Sequence, residues 1–135
     1  MINFKAPLLA CLVTTLTACS TFAPKTDVER VEARSQERLN LLMDGKVDKA
    51  YGYMTPGYRA ANPVARFRAD FAAGTSRFID AKVTESSCEE DACSVTTVIT
   101  YNHVSSVSSK PFPVERVTKE RWIKLDNQWW FIRLN

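Results

Sequence analysis

Hydrophobic periodicity changes once along this 135-residue chain, near Gly74, and the change limits what the chain can fold into. Before it, Val28, Val31, Ser35, Leu39 and Leu42 recur at three- and four-residue steps, the stripe of one long helix. After it, side chains alternate every second residue over Arg77–Cys88, Cys93–Val104, Val114–Leu125 and Gln128–Leu134, runs rich in Val, Ile, Thr and aromatics. A helical period cannot present one face on a strand, nor a two-residue period on a helix. The chain is therefore expected to be α+β, with N-terminal helices packed on a curved four-stranded antiparallel sheet.

Local signals place the element ends. Thr26 reads as an N-cap, with Glu29 three residues on completing a capping box, and Gly45 stops the helix. Asp48–Met54 forms a second, short helix with Ala50, Tyr51 and Met54 on one face; Thr55-Pro56 ends it and Gly57-Tyr58-Arg59 turns. Asn62 caps a third helix that Pro63 opens, with Val64, Phe67 and Phe71 as its stripe and an Arg66–Asp70 pair on its surface. Gly74 closes it. Arg30, Arg34 and Arg38 form a ridge at four-residue spacing, suited to anionic headgroups or, with Glu29, Glu32 and Glu37 between, to a solvated face. Glu89-Glu90-Asp91-Ala92 and Asp126-Asn127 read as tight hairpin turns, and 105–113 as a Ser/Pro loop with Phe112 near its tip.

The first residues carry an address. Lys5 precedes an apolar run, Ala6–Leu16, too short to span a bilayer, and Leu16-Thr17-Ala18-Cys19 ends it. This resembles the lipobox of bacterial lipoproteins; an ordinary signal peptide that happens to carry a cysteine is the alternative. The resemblance implies a signal peptide over 1–18, an acylated Cys19, a tether over 19–25 and a domain over 26–135. Acyl chains on Cys19 would anchor the protein to a membrane without crossing it, and Ser20 in place of an Asp favours the outer membrane, with the domain in the periplasm. The tether reaches only about 20 Å at about 3.3 Å per residue.

Removing the leader leaves about 117 residues, enough for one core. With 18 basic and 15 acidic side chains interspersed, the charge argues against a nucleic-acid partner. Of four cysteines, Cys11 leaves with the leader and Cys19 takes the lipid, so Cys88 and Cys93 remain. In an oxidising periplasm, facing each other across a hairpin, they read as a disulfide. A metal site would need more ligands than the lone His103, and no cofactor motif is present.

Leu41-Leu42 before Gly45, Ala50-Tyr51, Thr55-Pro56 and Arg59, then Trp122-Ile123-Lys124-Leu125-Asp126-Asn127-Gln128-Trp129-Trp130-Phe131, resemble the nuclear-transport-factor-2-like (cystatin-related) cone fold, with Asn127 where glycine is commoner. The resemblance covers most of 27–135. It implies a sheet curled around a pocket that the helices close. Members include isomerases, dehydratases, transport factors and silent binding domains, so the fold does not choose a function.

A two-residue turn at Asp126-Asn127 sets Trp122 against Phe131, Lys124 against Trp129 and Glu120 against Arg133. Trp122, Trp129 and Phe131 then share the concave face with a Glu120–Arg133 pair, closed by Phe67 and Phe71. That set either holds a small apolar ligand or is a filled core with a rim salt bridge. Trp130, Ile132, Leu134 and Ile123 fall on the other face, more apolar than solvent favours, which suits an envelope protein partner or a homodimer. Carrying the register back from Cys88/Cys93 sets Asp80 against Tyr101 and Phe78 against His103, so Asp80 and His103 are the acid–base candidates of an isomerase- or dehydratase-like enzyme. Three functions are compatible with these residues: a non-catalytic lipoprotein binding a protein or small apolar ligand, a lipid-anchored enzyme using Asp80 and His103, and a spacer in an envelope assembly.

Overall fold

The first helix, α1 (Asp27–Met43), begins at the expected capping box: Thr26 Oγ1 accepts the Glu29 amide at 3.2 Å, and Glu29 Oε2 accepts the Thr26 amide at 2.7 Å. It ends in a Schellman motif, with the Lys46 amide on the Leu41 carbonyl and the Gly45 amide on that of Leu42. Gly45 has φ +72°, and a Cβ there would meet nothing within 4 Å, so conformation and not space requires glycine. The computed structural model describes residues 24–73, 78–104 and 110–133. The leader, Cys19, Gly74, Leu134 and the loop tip at 105–109 lie outside the described residues.

Val31, Ser35, Leu39 and Leu42 of α1 are buried as the stripe requires, and so is Arg38. The arginine ridge is therefore not a solvated face. Each four-residue step overshoots a full turn by about 40°, so the row drifts inward from one arginine to the next. Arg30 stays outside, 3.9 Å from Asp27; Arg34 donates from Nε to the Trp129 carbonyl at 2.9 Å; Arg38 enters the core.

Three short helices come next: α2 (Val47–Tyr51), α3 (Pro56–Ala61) and α4 (Val64–Ala73). The expected turn at Gly57-Tyr58-Arg59 is instead the body of α3. Thr55 Oγ1 accepts the Tyr58 amide at 3.2 Å and Pro56 fills the first helical position, so Thr-Pro starts a helix here; α2 has already ended at Tyr51. Asn62 caps the C-terminal end of α3, and Pro63 stands just before α4, taking the Arg66 and Phe67 amides on its carbonyl. Met54 lies between α2 and α3, bridging in parallel to Phe131. The Tyr51 hydroxyl donates to the Asn62 carbonyl at 2.6 Å and its ring lies 5.4 Å from that of Phe67, which fixes α4 to α2.

The strands β1 (Phe78–Glu89), β2 (Ala92–His103), β3 (Phe112–Leu125) and β4 (Gln128–Ile132) form one antiparallel sheet in chain order. Phe112 opens β3 opposite His103 and is not a loop tip. Asp126 and Asn127 both have positive φ, 51° and 60°, the primed turn that matches strand twist. Asparagine tolerates that region, which accounts for Asn127 without glycine. α1 crosses the concave face. Val31 packs there with Cys93, Val95, Trp122 and Trp129. At the free edge of β1, Gln36 supplies both halves of a strand partner, donating to the Ala81 carbonyl at 2.8 Å and accepting the Val83 amide at 3.0 Å.

Cys88 and Cys93 are directly opposed, with Cα atoms 4.0 Å apart, and are joined by a disulfide. Replacing both by alanine should lower stability by about 2 kcal/mol, since the loop closed is short. A urea titration of oxidised wild type against the double variant measures this.

Candidate functional site

Beyond the packed core, the concave sheet and the helices separate. Arg68 on α4 holds Asp48 on α2 through contacts of 2.6 and 2.8 Å, which sets Phe67 and Phe71 over the opening. Beneath them lies a cavity of about 330 Å³, near the lower end of the roughly 300–1,000 Å³ usual for small-molecule sites. Its walls are mostly apolar: Leu39 and Leu42 from α1, Phe67 and Phe71 from α4, Phe78 and Ile99 from the sheet, and Phe131 from β4, with Thr118 and Lys119 of β3 also lining it.

The floor is a buried ion pair. Arg38 is 7% exposed and Glu120 6%, and the Arg38 guanidinium donates to Glu120 Oε1. Glu120 Oε2 accepts from Ser35 Oγ at 2.8 Å and from Trp122 Nε1 at 3.0 Å, so the carboxylate takes three donors. The guanidinium lies 4.0 Å from the centre of the Phe131 ring, a cation–π contact. Its Nε–H has no acceptor among the described residues. At the mouth, Arg133 Nη1 donates to Asp70 at 3.0 Å.

The site differs in part from its expected composition. Phe67, Phe71, Glu120, Phe131 and Arg133 surround the cavity. Trp122 and Trp129 share the concave face but are core, 0% and 2% exposed. Trp122 meets Tyr53 edge-on, and Trp129 Nε1 donates to Asp27 at 3.2 Å. Burial pushes the Tyr53 phenol up to about 12, with its hydrogen bond to Glu37 adding to the effect. Hydrogen bonds from Lys124 and then Trp129 hold the Asp27 carboxyl below its ordinary value. Trp122 opposes Phe131 and Lys124 opposes Trp129 as the turn predicts. The Glu120–Arg133 pair does not form. The last paired residues of β3 and β4 are Arg121 and Ile132, Glu120 turns under α1 to Arg38, and Arg133 takes Asp70. Asp70 is thereby diverted from Arg66.

Sequence reasoning misses Arg38, Ser35 and Asp70 as site residues. Ser35 does carry a signal: a polar side chain inside an apolar stripe needs a buried partner.

Asp80 and His103 do not meet. Two bulges in β1, between Phe78 and Asp80 and between Val83 and Glu85, shift the register so that Asp80 lies against Thr100 and Phe78 against Tyr101. Each extra residue reverses the face of the residues beyond it, so Asp80 falls on the convex face and His103 on the concave one. Asp80 accepts from Lys82 at 2.9 Å, and that hydrogen bond holds its carboxyl below the usual range. The His103 ring packs edge-on against Phe112 at 5.5 Å. Neither lines the cavity. Among the described residues, no three His, Cys, Asp or Glu side chains cluster as metal ligands, and no helix is long and apolar enough to cross a membrane.

On the convex face, Val117 is 66% exposed, while Trp130 is partly covered by the Arg59 guanidinium at 5.2 Å; Ile79, in the first bulge of β1, is 51% exposed. Ile123 and Ile132 are half-buried.

No protein-family model matches the chain, and neither does any curated protein. Solved structures do. A protein from Campylobacter jejuni, proposed to be a nuclear-transport-factor-2-like transpeptidase, superposes with TM-score 0.52 at 12% identity, over 75% of this chain and 95% of that one. A SEC-C motif containing protein from Rhodopseudomonas palustris gives TM-score 0.59 at 17% identity, over 76% and 74%. Another from Psychrobacter arcticus gives 0.59 at 8%, over 82% of this chain and 62% of that one. At these identities the likeness is one of fold. Helices followed by an open four-stranded antiparallel sheet make an α+β architecture consistent with the nuclear-transport-factor-2-like cone.

Proposed function

We propose that this chain is a lipid-anchored envelope protein, without catalytic activity, whose cone holds a small apolar ligand close to the periplasmic face of the outer membrane. The observation that carries the ligand reading is the cavity: seven apolar walls around an ion pair whose carboxylate is already saturated by three donors. Asp80 and His103, the acid–base candidates, are too far out of register to serve as a couple. The anchor reading rests on Leu16-Thr17-Ala18-Cys19, with the signal peptide over 1–18 and the acyl chains on Cys19. A protein partner or a second copy has a separate place on the convex face, where Val117 stands in solvent.

Growth with labelled palmitate tests the anchor. Wild-type protein should carry the label in the membrane fraction, and Cys19→Ala should carry none. Equal labelling of both, or none in wild type, would overturn that half of the proposal.

A further inference from the structure

We infer that the outer edge of β3, from Pro113 to Lys119, is a docking site for an extended acidic segment of a partner protein, which joins the sheet as one more antiparallel strand. The inference goes beyond the ligand and anchor readings and needs neither. Backbone groups on successive strand residues point to opposite sides. The Lys124 amide donates to the Asp91 carbonyl next to β2, so even-numbered residues of β3 face β2 and odd-numbered ones face β4. β4 pairs only as far back as Arg121. Beyond it, the N–H and C=O groups of Glu115, Val117 and Lys119 have no strand partner among the described residues. Pro113 has its nitrogen on the same side, the place where a sheet tolerates proline. Val117, at the middle of this edge, is 66% exposed.

Charge selects the occupant. Arg116 and Lys119 are exposed and form no ion pair among the described residues. Glu115, the only acid between Pro113 and Lys119, lies within electrostatic reach of Lys82 on β1. A second copy fits badly. Two-fold pairing along the whole free edge centres on Arg116 and sets that guanidinium against its own copy. Centring one residue earlier opposes Glu115 to Glu115, and one residue later drives Phe112 into Phe131 of β4. Like charges directly opposed destabilise a strand pair, and opposite charges stabilise it. An acidic strand meets neither obstacle: it sets one carboxylate against Lys119 on the convex face, another against Arg116 on the concave face, and a β-branched residue against Val117.

Three acetylated and amidated peptides test this on the full-length protein in zwitterionic detergent: Glu-Thr-Val-Glu-Thr-Val, the same sequence N-methylated at its first valine, and Lys-Thr-Val-Lys-Thr-Val. Binding is read from the chemical shifts and hydrogen exchange of the Glu115, Val117 and Lys119 amides. The acidic peptide should move and protect all three. The N-methylated form should bind about tenfold more weakly, because it loses the bond to the Val117 carbonyl, and the lysine peptide weakest of the three. In the double variant Arg116→Glu with Lys119→Glu, the acidic and lysine peptides should exchange places. Edge amides unmoved by every peptide at millimolar concentration, equal binding of the N-methylated form, or a charge order that the variant leaves unchanged would overturn the proposal. Protection of the same amides on raising the protein concentration without peptide would place a second copy on the edge and overturn the choice of partner. The order of the peptides on wild-type protein decides the matter even where the variant fails to fold. None of these results bears on the cavity or on acylation of Cys19, so failure here leaves both of those readings standing.

Discussion

Glu120→Ala should destabilise the protein by about 3–5 kcal/mol, the usual result of removing one partner of a buried ion pair. Three groups lose their acceptor together: the Arg38 guanidinium, Ser35 Oγ and Trp122 Nε1. At 7% exposure Arg38 has little access to water. Domains of this size are stable by only about 5–15 kcal/mol, so the variant should be close to unfolded in dilute urea. The double change Arg38→Met with Glu120→Leu is the informative companion. It removes both charges in similar volume, and much of the loss should return. Urea midpoints for the two variants separate the penalty of a stranded charge from the net value of the pair.

Trp122→Ala should cost about 3–5 kcal/mol, by a different route. Trp122 is fully buried between Tyr53, 6.3 Å away edge-on, and Phe131 at 5.7 Å, and it packs on Val31 of α1 through the same core cluster. Truncation leaves a void where α1 meets the middle of the sheet, and the disulfide-pinned hairpin restrains one side from collapsing into it. Trp122→Phe should cost only about 1–2 kcal/mol, because the ring body remains and Glu120 keeps two of its three donors. The gap between the two variants, measured by thermal and urea unfolding, weighs packing against the indole hydrogen bond.

Much of the fold is legible in the sequence because it is written in short-range chemistry. Thr26, Glu29 and Gly45 bracket α1 through contacts within one turn, and Asp126-Asn127 with the Cys88–Cys93 pair sets the registers next to them. Register fades with distance from such a turn. Val83, Thr84 and Glu85 keep an acceptable strand pattern with or without an extra residue, so the two bulges in β1 leave no trace in the alternation, and an Asp80–His103 couple carried across them fails. The ion pairs are hidden for another reason. Glu120, Arg38, Arg133 and Asp70 exchange partners according to how far β4 runs and where α1 crosses, which only the assembled fold decides. Thr55-Pro56 is legible as punctuation, but a Thr-Pro pair can start a helix as well as stop one, and a six-residue helix has too little periodicity to show itself.

The most direct measurement is native mass spectrometry of the full-length protein extracted from its own membrane. The expected spectrum shows a chain beginning at Cys19 that carries fatty-acyl mass and one disulfide, with one small apolar molecule bound per chain and lost on gentle activation. A chain that begins elsewhere, without acyl mass and without any retained small molecule, would contradict both the anchor and the ligand-holding cone.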